Sequence, residues 1–354
     1  MEYSKKQIFE NIKRRWDSIA KPLDSLGKLE EIVCRIGAVQ GTEEPRAKKT
    51  ALIVFCADNG VVEEGISQSD ISVTRLCAEN IASGKTTVGI MAGQCGTDVI
   101  AVDIGMNCDK VPGVLDRKIR KGSRNFAKEK ALTASEVQKA IECGKSLVRE
   151  LKAEGYDILC VGEMGIGNTT TSAAVASSLL KVGAEEVTGR GAGLSDSMLK
   201  KKISVIQSAV EKYGLYEKDV LEVLEAVGGY DICGMCGVFL GAAEENVPVV
   251  LDGAISMVSL LAAERIKKGT KEFVIPSHKS REPLVSKVCS ELGLEPVLDA
   301  GMALGEGTGA VLMMGIIKTA LAVYEKSLTF NKSGVQQYVR QSGEKSPDPE
   351  EGVN

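Results

Sequence analysis

Apolar residues fall in short unbroken blocks along the chain: ALIVFC at 51–56, DVIAVDIG at 98–105, YDILCVG at 156–162, VPVVLDG at 247–253 and EFVIPSH at 272–278. Between the blocks the apolar spacing is helical. A continuous rather than alternating block is buried on both faces, which predicts a mostly parallel sheet with helices on each side, a doubly wound α/β fold. Each block runs into polar or glycine-rich sequence: ADNG, DIGMN, GEMGIGN, DGAIS and SHKS. Ligands of such sheets bind beyond the carboxyl ends of the strands, so five loops are aimed at one rim. The first forty residues read as helical, with a Pro turn in KPLDSLGKLEEIV, and a second helical stretch runs from about 307 to 326. The expected organisation is a small helical lobe from 1–40 plus about 307–340 and a large domain at 41–306. The Pro/Glu-rich tail at 343–354 is expected to be disordered.

Composition narrows the function. The 354 residues carry a formal charge of -4, 44% hydrophobic residues and only 4% aromatics, with no long basic cluster. A nucleic-acid surface needs basic stripes and stacking rings, so small molecules are the expected partners. The N-terminus MEYSKKQIFENIKRRWDSI lacks the apolar core of a signal peptide, and no segment offers eighteen uninterrupted apolar residues. The expected location is therefore cytoplasmic. Ten cysteines at irregular spacing, mostly among apolar neighbours, read as reduced buried thiols. Cys233 and Cys236, in CGMC, have redox spacing but lie in an apolar stretch with no second pair.

The candidate chemistry sits in three glycine loops. In GEMGIGNTT, Gly165 and Gly167 permit a tight turn, while Asn168 or Thr169 is placed to cap a helix whose positive end favours an anion. An ordinary strand-to-helix turn reads the same way. The second loop, GRGAGLSD, leads into a helix from near Ser195 and Asp196 and brings Lys202 one to two turns in. That lysine is either an anion ligand or a solvated helix residue. Neither loop is a P-loop or a dinucleotide fingerprint, and one histidine without an acidic cluster of ligand spacing argues against a metal site. In the third loop, LGEGTGA, Glu306 lies between Gly305 and Gly307 at the entrance of an apolar helix. Partial desolvation would raise its pKa and make it a better general base; the alternative is a first-turn Glu stabilised by the helix dipole.

GEMGIGNTT, the GRGAGL loop followed by Lys202, PVVLDG, IPSHKSREP and LGEGTGA, in this order, together with KPLDSLGKLE and ADNGVVEEG, resemble the nicotinate-nucleotide:dimethylbenzimidazole phosphoribosyltransferase family over residues 12 to 325. The resemblance implies a Rossmann-like large domain, a small lobe from both termini and a homodimer. It implies transfer of the phosphoribosyl group of nicotinate mononucleotide to a benzimidazole nitrogen, giving an α-ribazole phosphate and nicotinate, for cobamide lower-ligand synthesis. It marks Glu306 as the base and Glu163 as a second functional carboxylate. Gly165, Gly191, Ala192, Lys202 and Ser280 are expected to hold the nucleotide, with Asp252 near the ribose or the reacting centre. Ser69, Cys77, Met164 and Leu304 are expected around the base. Cys77 departs from the glutamine often found there, which leaves acceptor identity open among benzimidazoles, adenine and phenols.

The chemistry suits so small a cast. The donor already carries a pyridinium, which leaves as a neutral ring, so no cofactor, metal or protein nucleophile is required. One base suffices to take the acceptor's ring proton. Two other classes remain: a non-catalytic nucleotide-binding protein, and another Rossmann-like enzyme such as a methyltransferase. Each accounts for one loop, whereas the transferase accounts for five.

Overall fold

The computed structural model describes residues 4–339. The tail at 343–354 lies outside the described residues. The chain divides into two compact units: one takes the chain up to Lys48 and from Met314 onward, the other is Lys49–Met313.

The larger unit holds a six-stranded parallel sheet: β1 Thr50–Ala57, β2 Asp98–Gly105, β3 Leu115–Asp116, β4 Ile158–Met164, β5 Val249–Leu251 and β6 Val274–Pro276. Strand order is β3-β2-β1-β4-β5-β6. All eight residues of β1 are buried, which is why its apolar run shows no alternation. The chain winds outward from β1 to β3, then returns to the other side of β1 with β4. Strand order therefore reverses between β1 and β4, and a crevice opens beyond their carboxyl ends.

Three local expectations need correction. β3 is missed by the hydrophobic pattern because it is two exposed residues on the sheet edge. β5 and β6 are three residues each, where seven were expected, because Asp252, Ser277 and His278 leave the ladder for other partners. Asn168 and Thr169 do not cap the helix Asn168–Leu180; Gly167, at φ 92°, is its N-cap, and the Asn168 side chain turns inward.

The helix Tyr230–Glu245 is buried along most of its length, Cys233 and Cys236 included. Both thiols are free, and burial pushes Cys236 up to about 12, so neither supplies a thiolate.

In the smaller unit, Ser4 caps the helix Lys5–Ser18 by accepting from the Gln7 amide at 3.2 Å. Trp16 is fully buried with its ring centroid 5.1 Å from that of Tyr324, and the Arg15 guanidinium lies 4.7 Å over the Tyr324 ring. These contacts join the two ends of the chain. The helix Thr308–Lys326 is long and apolar enough to pass for a membrane span by composition, but 56% of that stretch is buried.

Candidate active site

The crevice between β1 and β4 is lined from the sheet upward. β4 ends in Glu163 and Met164, after which the turn Gly165–Gly167 is pinned on both sides. Thr74 accepts from the Ile166 amide at 3.1 Å, and Asn59 donates to the Ile166 carbonyl at 3.4 Å. Behind the turn, Thr171 donates to Asn59 Oδ1 at 3.1 Å. The helix that follows is packed into the core, so its first turn is a fixed wall of the site.

Glu163 is buried, and the inward-facing Asn168 amide donates to its Oε2. Burial, then the neighbouring Asp231 and Asp252, hold its carboxyl well above the usual range despite Asn168. Asp231, fully buried at the start of the helix Tyr230–Glu245, is pushed up to about 6 by burial. This end of the helix Asn168–Leu180 is thus surrounded by acids, a poor seat for a phosphate.

A better seat lies one turn away, where Thr169, the 189–193 loop and Lys202 converge. Lys202 is 1% exposed, so the solvated alternative is ruled out. Its ammonium donates to Thr169 Oγ1 at 2.9 Å and to the Gly189 carbonyl at 3.1 Å. Desolvation lowers its pKa to about 8, with Glu282 pulling the other way. A buried ammonium whose partners are all neutral oxygens is short of an anion. Gly191, at φ 52°, brings the backbone so close to Thr169 that a Cβ would lie 2.9 Å from its hydroxyl. Ala192 is exposed on the same turn. Ser280 is buried beyond β6, beside Gly253.

Glu306 stands opposite, on a turn in which three successive residues are left-handed: Gly305 at φ 85°, Glu306 at 62° and Gly307 at 90°. Asp252 holds this turn, accepting from the Gly307 amide at 3.1 Å and the Gly309 amide at 2.7 Å. Both of its oxygens accept from the loop, so it ties Glu306 in place. Gly305 packs against Glu163, where an added Cβ would lie 2.7 Å from Oε1. The two carboxylates therefore share one wall. Glu306 is half-buried, its Oε2 is shut from solvent without a hydrogen-bond partner, and burial together with Asp252 raises its pKa.

Cys77, on the helix Ser72–Ala82, is half-buried and close enough to Glu306 that the carboxylate helps burial to raise the thiol's pKa. Ser69 lies in the loop leading to that helix, Met164 closes β4, and Leu304 is 56% exposed at the mouth beside Glu306. A cleft of about 450 Å³ beyond the carboxyl ends of β1 and β2 is lined by Asp58, Asn59, Asn107 and Arg120 among others, but by neither Glu306 nor Lys202. Its basic rim is largely neutralised, Lys121 by Asp109, Arg124 by Glu136 and Lys128 by Glu63.

Asn168 as a partner of Glu163, Asp231 behind it, and His278 beside Asp252 were not found from the sequence. No local pattern marks a buried polar residue whose partner lies on another element.

The chain matches a family model described as Phosphoribosyltransferase over residues 1–335. It is 45% identical over 334 residues to the nicotinate-nucleotide–dimethylbenzimidazole phosphoribosyltransferase of Acetivibrio thermocellus, covering 94% of this chain and 95% of that one. The protein of the same name from Clostridium perfringens is 43% identical over 324 residues, covering 91% and 90%. Among solved structures, CobT from Thermus thermophilus superposes with a TM-score of 0.88 at 35% identity, covering 94% of this chain and 99% of that one.

Proposed function

This chain belongs to the nicotinate-nucleotide–dimethylbenzimidazole phosphoribosyltransferase family, and from that premise we infer what each part of the site does. The enzyme transfers the phosphoribosyl group of nicotinate mononucleotide to a benzimidazole-type base, releasing nicotinate and forming the α-ribazole 5′-phosphate used in cobamide assembly.

The observation that carries the assignment of roles is the Glu306 carboxylate, with one oxygen shut from water and unpartnered, on the wall it shares with Glu163. The 5′-phosphate of the donor sits at Lys202, Thr169 and the Gly189–Gly191 backbone, where it supplies the anion that the buried ammonium lacks. Ser280 and Gly165 complete the nucleotide seat. The acceptor lies between Cys77, Met164, Leu304 and Ser69, with one ring nitrogen facing the anomeric carbon and its N–H facing Glu306.

As the first nitrogen attacks, the C–N bond to nicotinate breaks and the pyridinium leaves as a neutral ring. Positive charge builds on the acceptor, the second ring N–H becomes acidic, and Glu306 takes the proton. General-base assistance of this kind supplies about 10²–10⁴ in rate, and the fixed walls add to it by holding two reactants in line. Glu163, its carboxyl raised above the usual range by burial and by Asp231 and Asp252, is the second functional carboxyl beside the reacting centre. Cys77 makes that side of the acceptor pocket roomy and weakly polar, so acceptors bulkier than dimethylbenzimidazole are tolerated. The working form is a cytoplasmic homodimer.

The test is turnover of nicotinate mononucleotide against a panel of benzimidazoles, adenine and phenols, reading nicotinate release and the ribosylated product together. Nicotinate release that depends on an added base supports the assignment. Absence of product with every acceptor, from folded protein that binds the nucleotide, would sink it.

A further inference from the structure

Asp252 and His278 form a buried unit behind the catalytic turn. Asp252 is 3% exposed and His278 2% exposed. The imidazole Nδ1 lies 3.8 Å from Asp252 Oδ1 and 3.0 Å from Ser277 Oγ, and Ser277 donates to the Asp252 carbonyl at 2.9 Å. The ring also fills the space over Gly309, where a Cβ would lie 1.9 Å from Nδ1. His278 thus wedges between Asp252 and the very segment whose amides Asp252 holds.

We propose that His278 is a positioning residue: through Asp252 it fixes the amides of Gly307 and Gly309 and so governs where Glu306 points and how it meets the acceptor's proton. This rests on Glu306 being the base. The turn closes on itself through the Thr308 amide and hydroxyl, which donate to the Gly305 carbonyl at 3.0 and 2.8 Å, and the amides of Gly307 and Gly309 are left to a side-chain acceptor, Asp252. That acceptor works best as a carboxylate, because charge-assisted bonds to backbone amides are roughly twice as strong as neutral ones.

The surroundings oppose the charge. Burial raises the Asp252 pKa, and the imidazole is the largest influence that lowers it, ahead of the loop amides. The other titratable groups around the turn are acids or thiols: Glu163 from β4, Glu306 itself, and Cys77 from the helix Ser72–Ala82. Without the imidazole, Asp252 takes up a proton at higher pH, surrenders part of its grip on the two amides, and the turn loosens as the solution is acidified.

The experiment compares His278→Asn and His278→Phe, the first small and polar, the second ring-sized and apolar, by the pH profile of kcat/KM. In both, the acid limb should move up by about one pH unit, a loss of about tenfold at a fixed pH on that limb, while the KM for nicotinate mononucleotide stays close to the parent's. In an Asp252→Asn background, where there is no carboxylate left to influence, the same replacements should leave the limb unmoved, because residues acting through one another are not additive. A pH-independent loss in both variants, or an equal limb shift in the Asp252→Asn background, overturns the proposal and leaves His278 as packing. If either variant misfolds, the other still reports the limb. Glu306→Gln run in parallel separates the two ideas: parent-like turnover there removes the base, whatever His278 does.

Discussion

Glu306 meets two conditions that a residue kept for stability would not. Its backbone sits in the left-handed region that non-glycine residues avoid, and one of its oxygens is buried without a partner. The strain is of the kind stored at functional sites, and the shielding helps to keep the carboxylate desolvated and its pKa raised. Glu306→Gln keeps the shape but cannot accept the proton, so turnover should fall by about 10² or more with nucleotide affinity retained, as measured by steady-state kinetics beside direct binding. Parent-like turnover would remove the base from the mechanism. The pH dependence has a definite sign: as the proposed base Glu306 must be ionised to act, and its pKa is raised, so activity should be lost as pH falls through a value above the ordinary 4.5. The glycines on either side made this residue visible in the sequence. Asn168 was visible too, but in the wrong role, because its position at a helix start is equally that of a cap and of an amide turned toward Glu163. Asp231 and His278 left no trace, since what makes them matter is proximity across the sheet.

At the level of elements, β1 and β4 were legible almost to their ends because burial on both faces leaves an unbroken apolar run, and β2 was legible from its apolar run although its first three residues are exposed or half-buried. β5 and β6 were overestimated because the residues that close them, Asp252 and Ser277, continue the apolar blocks in sequence while serving the site in space. Lys202 illustrates the same limit. A helix of 18 residues with lysines at 200, 201 and 202 does not announce which one points inward. The 189–193 loop and this helix act as one device, the loop offering its backbone and the helix one buried cation. Lys202→Ala should therefore raise the KM for nicotinate mononucleotide by at least tenfold, the effect of about 1.4 kcal/mol, while the KM for the base changes little. Equal weakening of both substrates would show that the loop, and not the phosphate contact, had been damaged.

Over the whole molecule, the acids gathered at the ends of β4 and β5 and at the start of the helix Tyr230–Glu245 give stability an unusual pH dependence. Their folded pKa values are raised, so the stability they contribute is present below the unfolded values and is lost as pH rises through the folded ones. For Asp231 that window runs from 3.8 to about 6. Asp231→Asn should therefore stabilise the protein by about 2 to 3 kcal/mol at pH 8 and hardly at all at pH 4, as read from denaturant unfolding at the two pH values. A gain of the same size at both would show that the charge of Asp231 is not what burdens the fold. The left-handed turn at Glu306 carries the same tension into evolution. A side chain there strains the backbone by roughly 1–2 kcal/mol, and glycine at 306 would relieve it while removing a desolvated acid. Selection for heat resistance alone, blind to product, should drift toward Glu306→Gly, yielding a sturdier protein that has forgotten its reaction. Glutamate at 306 would then be the mark of a lineage still tested, generation by generation, for what it makes.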